Sequence, residues 1–241
     1  MGPSLTVRKA LVERITKETS VQVALSLDGG PLDLLPDDTI ELPASVPDQK
    51  VKHHASQDTA HQQVWVWTGI GFLDHMIHAL AKHGGWSLRV RTVGDLAIDD
   101  HHTAEDTFLA IGEAVARALG DRKGIARFGD AYAPLDEALA RAVVDISSRP
   151  YFVGTFGFKH AMIGALATQM IPHCLQSFSQ TASITLHVDV FRGDNDHHRA
   201  EAAFKSLAVA LKKATARVAG MEGEVISTKG VLAGFGGEDQ S

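Results

Sequence analysis

The chain has 241 residues, 44% hydrophobic and 22% charged, the balance of one large globular unit or two small ones. Its 29 acidic and 23 basic residues leave a net charge of −6, which argues against holding nucleic acid by bulk electrostatics. No apolar run approaches the roughly 18 residues of a membrane helix, and the single cysteine, Cys174, excludes an internal disulfide and a cysteine-built zinc site. Met1 to Lys17 is mixed and charged, without a signal-peptide core. The only asparagine, Asn195, precedes Asp196 and His197, so there is no glycosylation sequon. A reducing, cytoplasmic setting is the expectation.

In chain order, strands are expected at 6–15 and 20–27. Residues 29–67 hold Pro31, Pro36, Pro43 and Pro47, many polar residues and little helical period. They read as an inserted surface loop, partly disordered, closed by a strand at Val64-Trp65-Val66-Trp67. His53, His54 and His61 within it read as solvated loop histidines. A helix is expected around 72–83. Leu88, Val90 and Thr92 then alternate with polar residues, the period of a strand with one buried face. After an acidic turn, Asp100 is the expected N-cap of a helix at 101–119. Phe108, Ile111, Val115 and Leu119 form its stripe, and Gly120 stops it. Strands at 142–146 and 151–158 and a helix at 160–178 follow. Ile184, Leu186, Val188 and Val190 mark the next strand. Asp196 caps a last helix at 197–219, stopped by Gly220.

The chain repeats itself. His101-His102-Thr103-Ala104-Glu105 aligns with His197-His198-Arg199-Ala200-Glu201 at an offset of 96, and Phe108, Ala114 and Ala118 align with Phe204, Ala210 and Ala214. At the same offset Ser87-Leu88 meets Ser183-Ile184. His75 lies 26 residues before His101, and His173 lies 24 before His197. The expected fold class is therefore α+β, built from duplicated half-domains, each a sheet with helices covering one face. The expected division is 1–125, 126–232 and a tail at 233–241.

Positions i and i+4 of a helix share a face. His101 and Glu105 therefore point together, as do His197 and Glu201, while His102 and His198 project about 100° away. With His75 and His173 this makes six histidines and two glutamates, enough for two ions of four protein ligands each. Open positions on such ions mark catalytic rather than structural sites. Imidazole with carboxylate suits Mn, Fe, Co, Ni or Zn. The acidic residues Asp95, Asp99, Asp100 and Asp106, and Asp189, Asp194 and Asp196, offset the unfavourable placing of a cation at a helix start. There is no HExxH, P-loop or GxGxxG.

These residues resemble the imidazoleglycerol-phosphate dehydratase family. The resemblance runs through Thr68-Gly69-Ile70-Gly71-Phe72-Leu73-Asp74-His75-Met76, Asp95 to Asp106, Arg149-Pro150, His197 to Lys205 and Ser227-Thr228-Lys229-Gly230. It implies removal of water from imidazole glycerol phosphate to give imidazole acetol phosphate. It also implies two Mn(II) per site and a four-stranded mixed sheet per half, of the ribosomal protein S5 domain 2 type. Trimers would assemble into a cage of twenty-four chains with active sites between subunits. The implied metal ligands are His75, His101, His102, Glu105, His173, His197, His198 and Glu201. Helical geometry then leads us to expect Glu105 to share an ion with His101, and Glu201 with His197, leaving His102 and His198 for the opposite ions. The implied phosphate end is Arg127, Arg149, Lys205, Ser227, Thr228 and Lys229, since a phosphomonoester dianion wants guanidinium forks, an ammonium and hydroxyls. Glu18 is the implied proton carrier and His83 a further substrate contact. Catalytic work would fall to Glu18, His75, His101, Glu105, His197 and Glu201, and Cys174 would be a packed thiol. The residues taken alone also admit a metal-dependent phosphoester hydrolase or a non-catalytic metal-binding cage.

Overall fold

The computed structural model describes residues 7–36, 41–228, 230 and 232; the expected tail at 233–241 and Lys229 lie outside the described residues. The chain opens with a hairpin of β1 (Lys9–Ile15) and β2 (Thr19–Ser26). After the insertion come β3 (Ser56–Thr59) and β4 (Gln62–Trp67), then α1 (Gly71–Gly84), β5 (Ser87–Gly94) and α2 (His101–Leu119). The second part repeats the plan with β6 (Phe128–Leu135), β7 (Ala138–Asp145), β8 (Tyr151–Thr155) and a short hairpin of β9 (Met162–Ile163) and β10 (Leu166–Ala167). It ends with α3 (Met170–Ala182), β11 (Thr185–Arg192) and α4 (Asp196–Ala214).

The first sheet has the order β1-β2-β5-β4-β3 and the second β6-β7-β11-β8. Across corresponding strands the pairings are the same: antiparallel, antiparallel, then parallel. The duplication is therefore structural, and the α+β class with mixed sheets holds. The first sheet has five strands rather than four, because the insertion adds β3 at its edge. The repeat also aligns with a step. Leu88 and Val90 of β5 occupy the places of Leu186 and Val188 of β11, an offset of 98 that His75 and His173 share. The Ser87-Leu88 match to Ser183-Ile184 is thus two residues out. The step to 96 falls in the connections before α2 and α4, residues 95–100 and 193–195.

Packing follows from the stripes. Phe108, Ile111 and Val115 of α2, and Phe204, Leu207 and Leu211 of α4, are buried within one hydrophobic core that spans both sheets. Helix α2 lies on β1 and β2 and against α3, and α4 lies on β6 and β7 and against α1. Each helix pair thus joins one repeat to the other. The Phe108 and Phe204 rings meet edge to face with centroids 6.0 Å apart, and each such burial is worth about 1.5–3 kcal/mol.

Several boundaries differ from the sequence expectation. Strand β6 and the first half of β7 were not expected, since their inward residues are Gly129, Ala131, Ala133, Ala138 and Ala140. Small residues are required there: a Cβ on Gly129 would sit 2.1 Å from the Ala210 carbonyl oxygen of α4. Helix α3 starts ten residues later than the expected 160, because 162–167 turns through β9 and β10 at Gly164, whose φ is +59°. Helix α4 ends at Ala214 rather than 219. Beyond it Ala216 and Val218 exchange backbone bonds with Ala126 and Gly124, which draws the chain out of the helix. Gly120 does stop α2, its N–H bonding the Ala116 and Arg117 carbonyls. The insertion is anchored rather than loose along its described residues. Gln49 bonds both backbone groups of Leu35, Arg91 bonds the Pro36 carbonyl, and Leu35 and Ala55 are buried.

Candidate metal centre and active site

The helix pairs bring histidines and glutamates together in two clusters. Helix α1 supplies His75, and α4 supplies His197 and Glu201; one donor atom from each lies within 4.8 Å of the other two. Helix α2 supplies His101 and Glu105, and α3 supplies His173, with the same convergence. Oε2 of Glu201 is 3.1 Å from His75 Nε2 and 3.2 Å from His197 Nε2. Glu105 stands 3.6 Å from His101 Nε2 and 3.3 Å from His173 Nε2. The i, i+4 pairing of each histidine with its glutamate is as the helical period requires. That each triad takes its third member from the other repeat follows from the α1–α4 and α2–α3 packing.

The donor set fits a divalent ion. Ligand atoms about 2.1 Å from a metal at right angles are about 3 Å apart, close to the spacings here. The Nε2 of His173 is buried without a hydrogen-bond partner although Glu105 is near, the position of a ring nitrogen aimed at an ion. Burial opposes the charge of Glu201, but the Lys205 ammonium at 2.7 Å and His75 outweigh it and hold the carboxyl at about 2. Glu201 is therefore ionised at any physiological pH, the charge state a cation ligand needs.

The helix starts are built differently from the expectation. Asn195, not Asp196, caps α4, its side-chain oxygen accepting from the His197 and His198 amides. Asp196 instead accepts from the Lys159 and His160 amides and stands 2.9 Å from His160 Nδ1. Asp100 precedes α2 but makes no cap bond; it accepts from the Ala167 amide, while Asp99 accepts from the His101 amide. Asp100 and Asp196 thus tie the 159–167 segment, which contains the β9–β10 hairpin, to the starts of α2 and α4.

His102 and His198 sit edge-on to His101 and His197 but make their polar contacts outside the triads. His102 lies between Asp95 and Glu18, at 2.9 and 3.6 Å, and His198 beside Glu137 at 2.7 Å. Glu18 sits in the exposed β1–β2 turn. His83, exposed in the last turn of α1, feels Lys205; partial desolvation and that ammonium lower its pKa. The remaining phosphate candidates gather elsewhere. Arg127, at φ +68°, forks onto Asp145 at 2.8 and 3.1 Å and donates to the Ile226 carbonyl beside Ser227 and Thr228. Arg149 is 3.8 Å from the same Asp145 and mostly exposed. The Arg127 amide bonds the Ala214 carbonyl, which a helical rise of 1.5 Å per residue puts about 20 Å from Glu201. One chain alone therefore places Lys205 and His83 near a triad, and Arg127, Arg149, Ser227 and Thr228 at the far end of α4. Glu137 was missed in the sequence; the only signal was its place in the Pro134-Leu135-Asp136-Glu137 turn.

A model of the imidazoleglycerol-phosphate dehydratase family matches residues 68–211. An imidazoleglycerol-phosphate dehydratase from Neurospora crassa is 59% identical over 225 residues, covering 93% of this chain and 96% of that one. One from Saccharomyces cerevisiae is 55% identical, covering 95% of this chain and 100% of its own. Among solved structures, the Staphylococcus aureus enzyme superposes with a TM-score of 0.67 at 29% identity, over 87% of this chain and 99% of its own. The Pyrococcus furiosus enzyme, in complex with (S)-C348, gives 0.67 at 31% identity, over 92% and 100%.

Proposed function

The chain belongs to the imidazoleglycerol-phosphate dehydratase family, and from that premise we propose that it is a manganese-dependent hydro-lyase of histidine biosynthesis. It converts imidazole glycerol phosphate to imidazole acetol phosphate and water. The observation that carries this reading is the pair of triads, His75/His197/Glu201 and His101/Glu105/His173, each with two imidazoles and one carboxylate.

The proton to be removed sits on the carbon joined to the imidazole, with no carbonyl to take the charge. Two Mn(II) ions, when bound, supply the positive charge that lets the ring accept those electrons. The chain's own residues do the rest. Glu201, kept ionised by Lys205, and Glu105 hold one ligand oxygen each in the triads. Glu18, exposed in its turn beside His102, moves the proton. His83 contacts the substrate beside Lys205, and Lys205, Arg127, Arg149, Ser227, Thr228 and Lys229 hold its phosphate. Among the described residues, Lys205 lies toward one end of α4 and Arg127, Arg149, Ser227 and Thr228 at the other, so we take the complete site to draw residues from a second copy. His102 and His198 then serve ions of neighbouring subunits, and trimers build a cage of twenty-four. We take 1–125 and 126–232 as half-repeats of this one catalytic domain, with 233–241 as a tail. Among the described residues no helix is long and apolar enough to cross a membrane; the cytoplasm is the compartment we assign.

The test is turnover of imidazole glycerol phosphate by metal-stripped protein, with and without Mn(II), with particle size measured in the same samples. Mn-dependent ketone formation together with growth to a large assembly is the expected result. Full Mn(II) occupancy without turnover would overturn the dehydratase reading.

A further inference from the structure

The second histidine of each pair, His102 and His198, is gripped through its Nδ1 by a carboxylate, and the two carboxylates come from different places. His102 Nδ1 is 2.9 Å from Asp95, the first residue after β5. The other Asp95 side-chain oxygen is buried with no hydrogen-bond partner, so His102 is what this side chain serves. His198 Nδ1 is 2.7 Å from Glu137, whose other oxygen accepts the Asp194 and Asn195 amides at 2.9 Å. A carboxylate on Nδ1 fixes the ring plane and leaves Nε2 as a lone-pair donor, the usual support of a metal-ligating histidine.

The duplication makes the difference informative. Glu18 immediately precedes β2 and Glu137 immediately precedes β7, the second strands of their sheets, so the two are repeat counterparts. Both face the second histidine of their own pair, but at opposite nitrogens: Glu137 at Nδ1, Glu18 3.6 Å from Nε2. The residue that follows the strand explains the exchange. After β5 it is Asp95; after β11 it is Gly193, at φ +143°, without a side chain to offer. The second repeat must therefore use its turn carboxylate as the support.

Resting on the function proposed above, we infer that Asp95 and Glu137 are positioning residues for His102 and His198. By taking that duty, Asp95 releases Glu18 to stand on the ligand side of His102 and move protons. The same turn position thus supports a histidine in one repeat and faces substrate in the other.

Mn(II) binding, read by the loss of the free-ion electron paramagnetic resonance signal, separates these roles without relying on turnover. In the full chain, Asp95→Ala and Glu137→Gln should each weaken binding at one class of site by about 10- to 100-fold. Turnover of imidazole glycerol phosphate should recover toward the wild-type kcat as Mn(II) is raised. Asp95→Asn, which keeps an acceptor oxygen, should regain part of the affinity. Glu18→Gln should bind Mn(II) like wild type and lose kcat by about 100-fold or more at every Mn(II) concentration. The division of roles falls if Glu18→Gln weakens binding as Asp95→Ala does, or if Asp95→Ala binds normally. Glu137→Gln also weakens the charge-assisted bonds from the Asp194 and Asn195 amides before α4. Should its metal-free melting change, Asp95, whose side chain bonds no backbone amide among the described residues, decides the matter. A wild-type protein that binds no Mn(II) overturns the proposed function instead.

Discussion

Asp28, at the end of the first hairpin, holds three parts of the chain. Its carboxylate takes the Arg8 fork at 2.5 and 3.1 Å and Arg217 at 3.0 Å, while Arg8 also donates to the Thr215 carbonyl. Burial works against its charge, but the two guanidiniums win and lower its pKa below the usual 3.8. A carboxyl depressed in the folded state adds stability above its unfolded pKa and loses it as pH falls through the folded one. Asp28→Asn should therefore cost about 1 kcal/mol at pH 7, and urea titrations should show the deficit closing below pH 3.8. A deficit unchanged at low pH would mean that packing, not charge, is lost. Cys174 makes the opposite case: it is fully buried, and burial pushes its thiol far up. Maleimide should leave the native chain unlabelled and take one equivalent in denaturant. Appreciable labelling of the folded protein would show that the α2–α3 seam opens.

At the scale of elements, that seam depends on Gly112. A Cβ there would stand 2.2 Å from Thr181 Oγ1 and 2.6 Å from the Phe178 carbonyl oxygen. Gly112→Ala should destabilise by about 1–3 kcal/mol, and because α3 carries His173, it should also weaken divalent-ion binding at the His101/Glu105 triad. Normal metal affinity in a destabilised variant would separate the seam from the site. Elements of this kind also decide how far a sequence can be read. The i, i+4 spacing of His101 with Glu105 and of His197 with Glu201 fixes their common face before any tertiary contact, and the stripes of α2 and α4 are large and apolar. Strand β6 shows only glycine and alanine inward, a signal too weak to separate from a loop, because the reason for it lies in α4, some 80 residues later. The α4 cap was misread for a related reason. Asn195 and Asp196 are both good caps, and only the approach of Lys159 and His160 settles which one turns away. Arg127 and Lys205 carry the same charge in the sequence; their separation along α4 is a property of the fold.

For the whole molecule, each sheet is covered by the helices of its own repeat, and the two helix layers pack on each other in one shared core. All three tryptophans, Trp65, Trp67 and Trp86, lie in the first repeat, whereas Phe204 belongs to the second. Phe204→Ala should cost about 3–5 kcal/mol. Tryptophan fluorescence and far-ultraviolet circular dichroism should move together to the same lower midpoint. Two separated transitions would show that the repeats unfold independently. The crossing of the repeats has a further consequence for the unfolded chain. The triad contacts close two loops, 75–197 and 101–173, and the second lies wholly inside the first. An ion that clasps 101 to 173 shortens the outer circuit to its flanks of 26 and 24 residues. Closing a loop of about 100 residues costs roughly 4–5 kcal/mol of chain entropy, and shorter circuits cost less. An inner clasp would therefore lower the entropic barrier to the outer one, so that ions held at the two triads would cooperate through the geometry of the thread itself, at a distance and without touching.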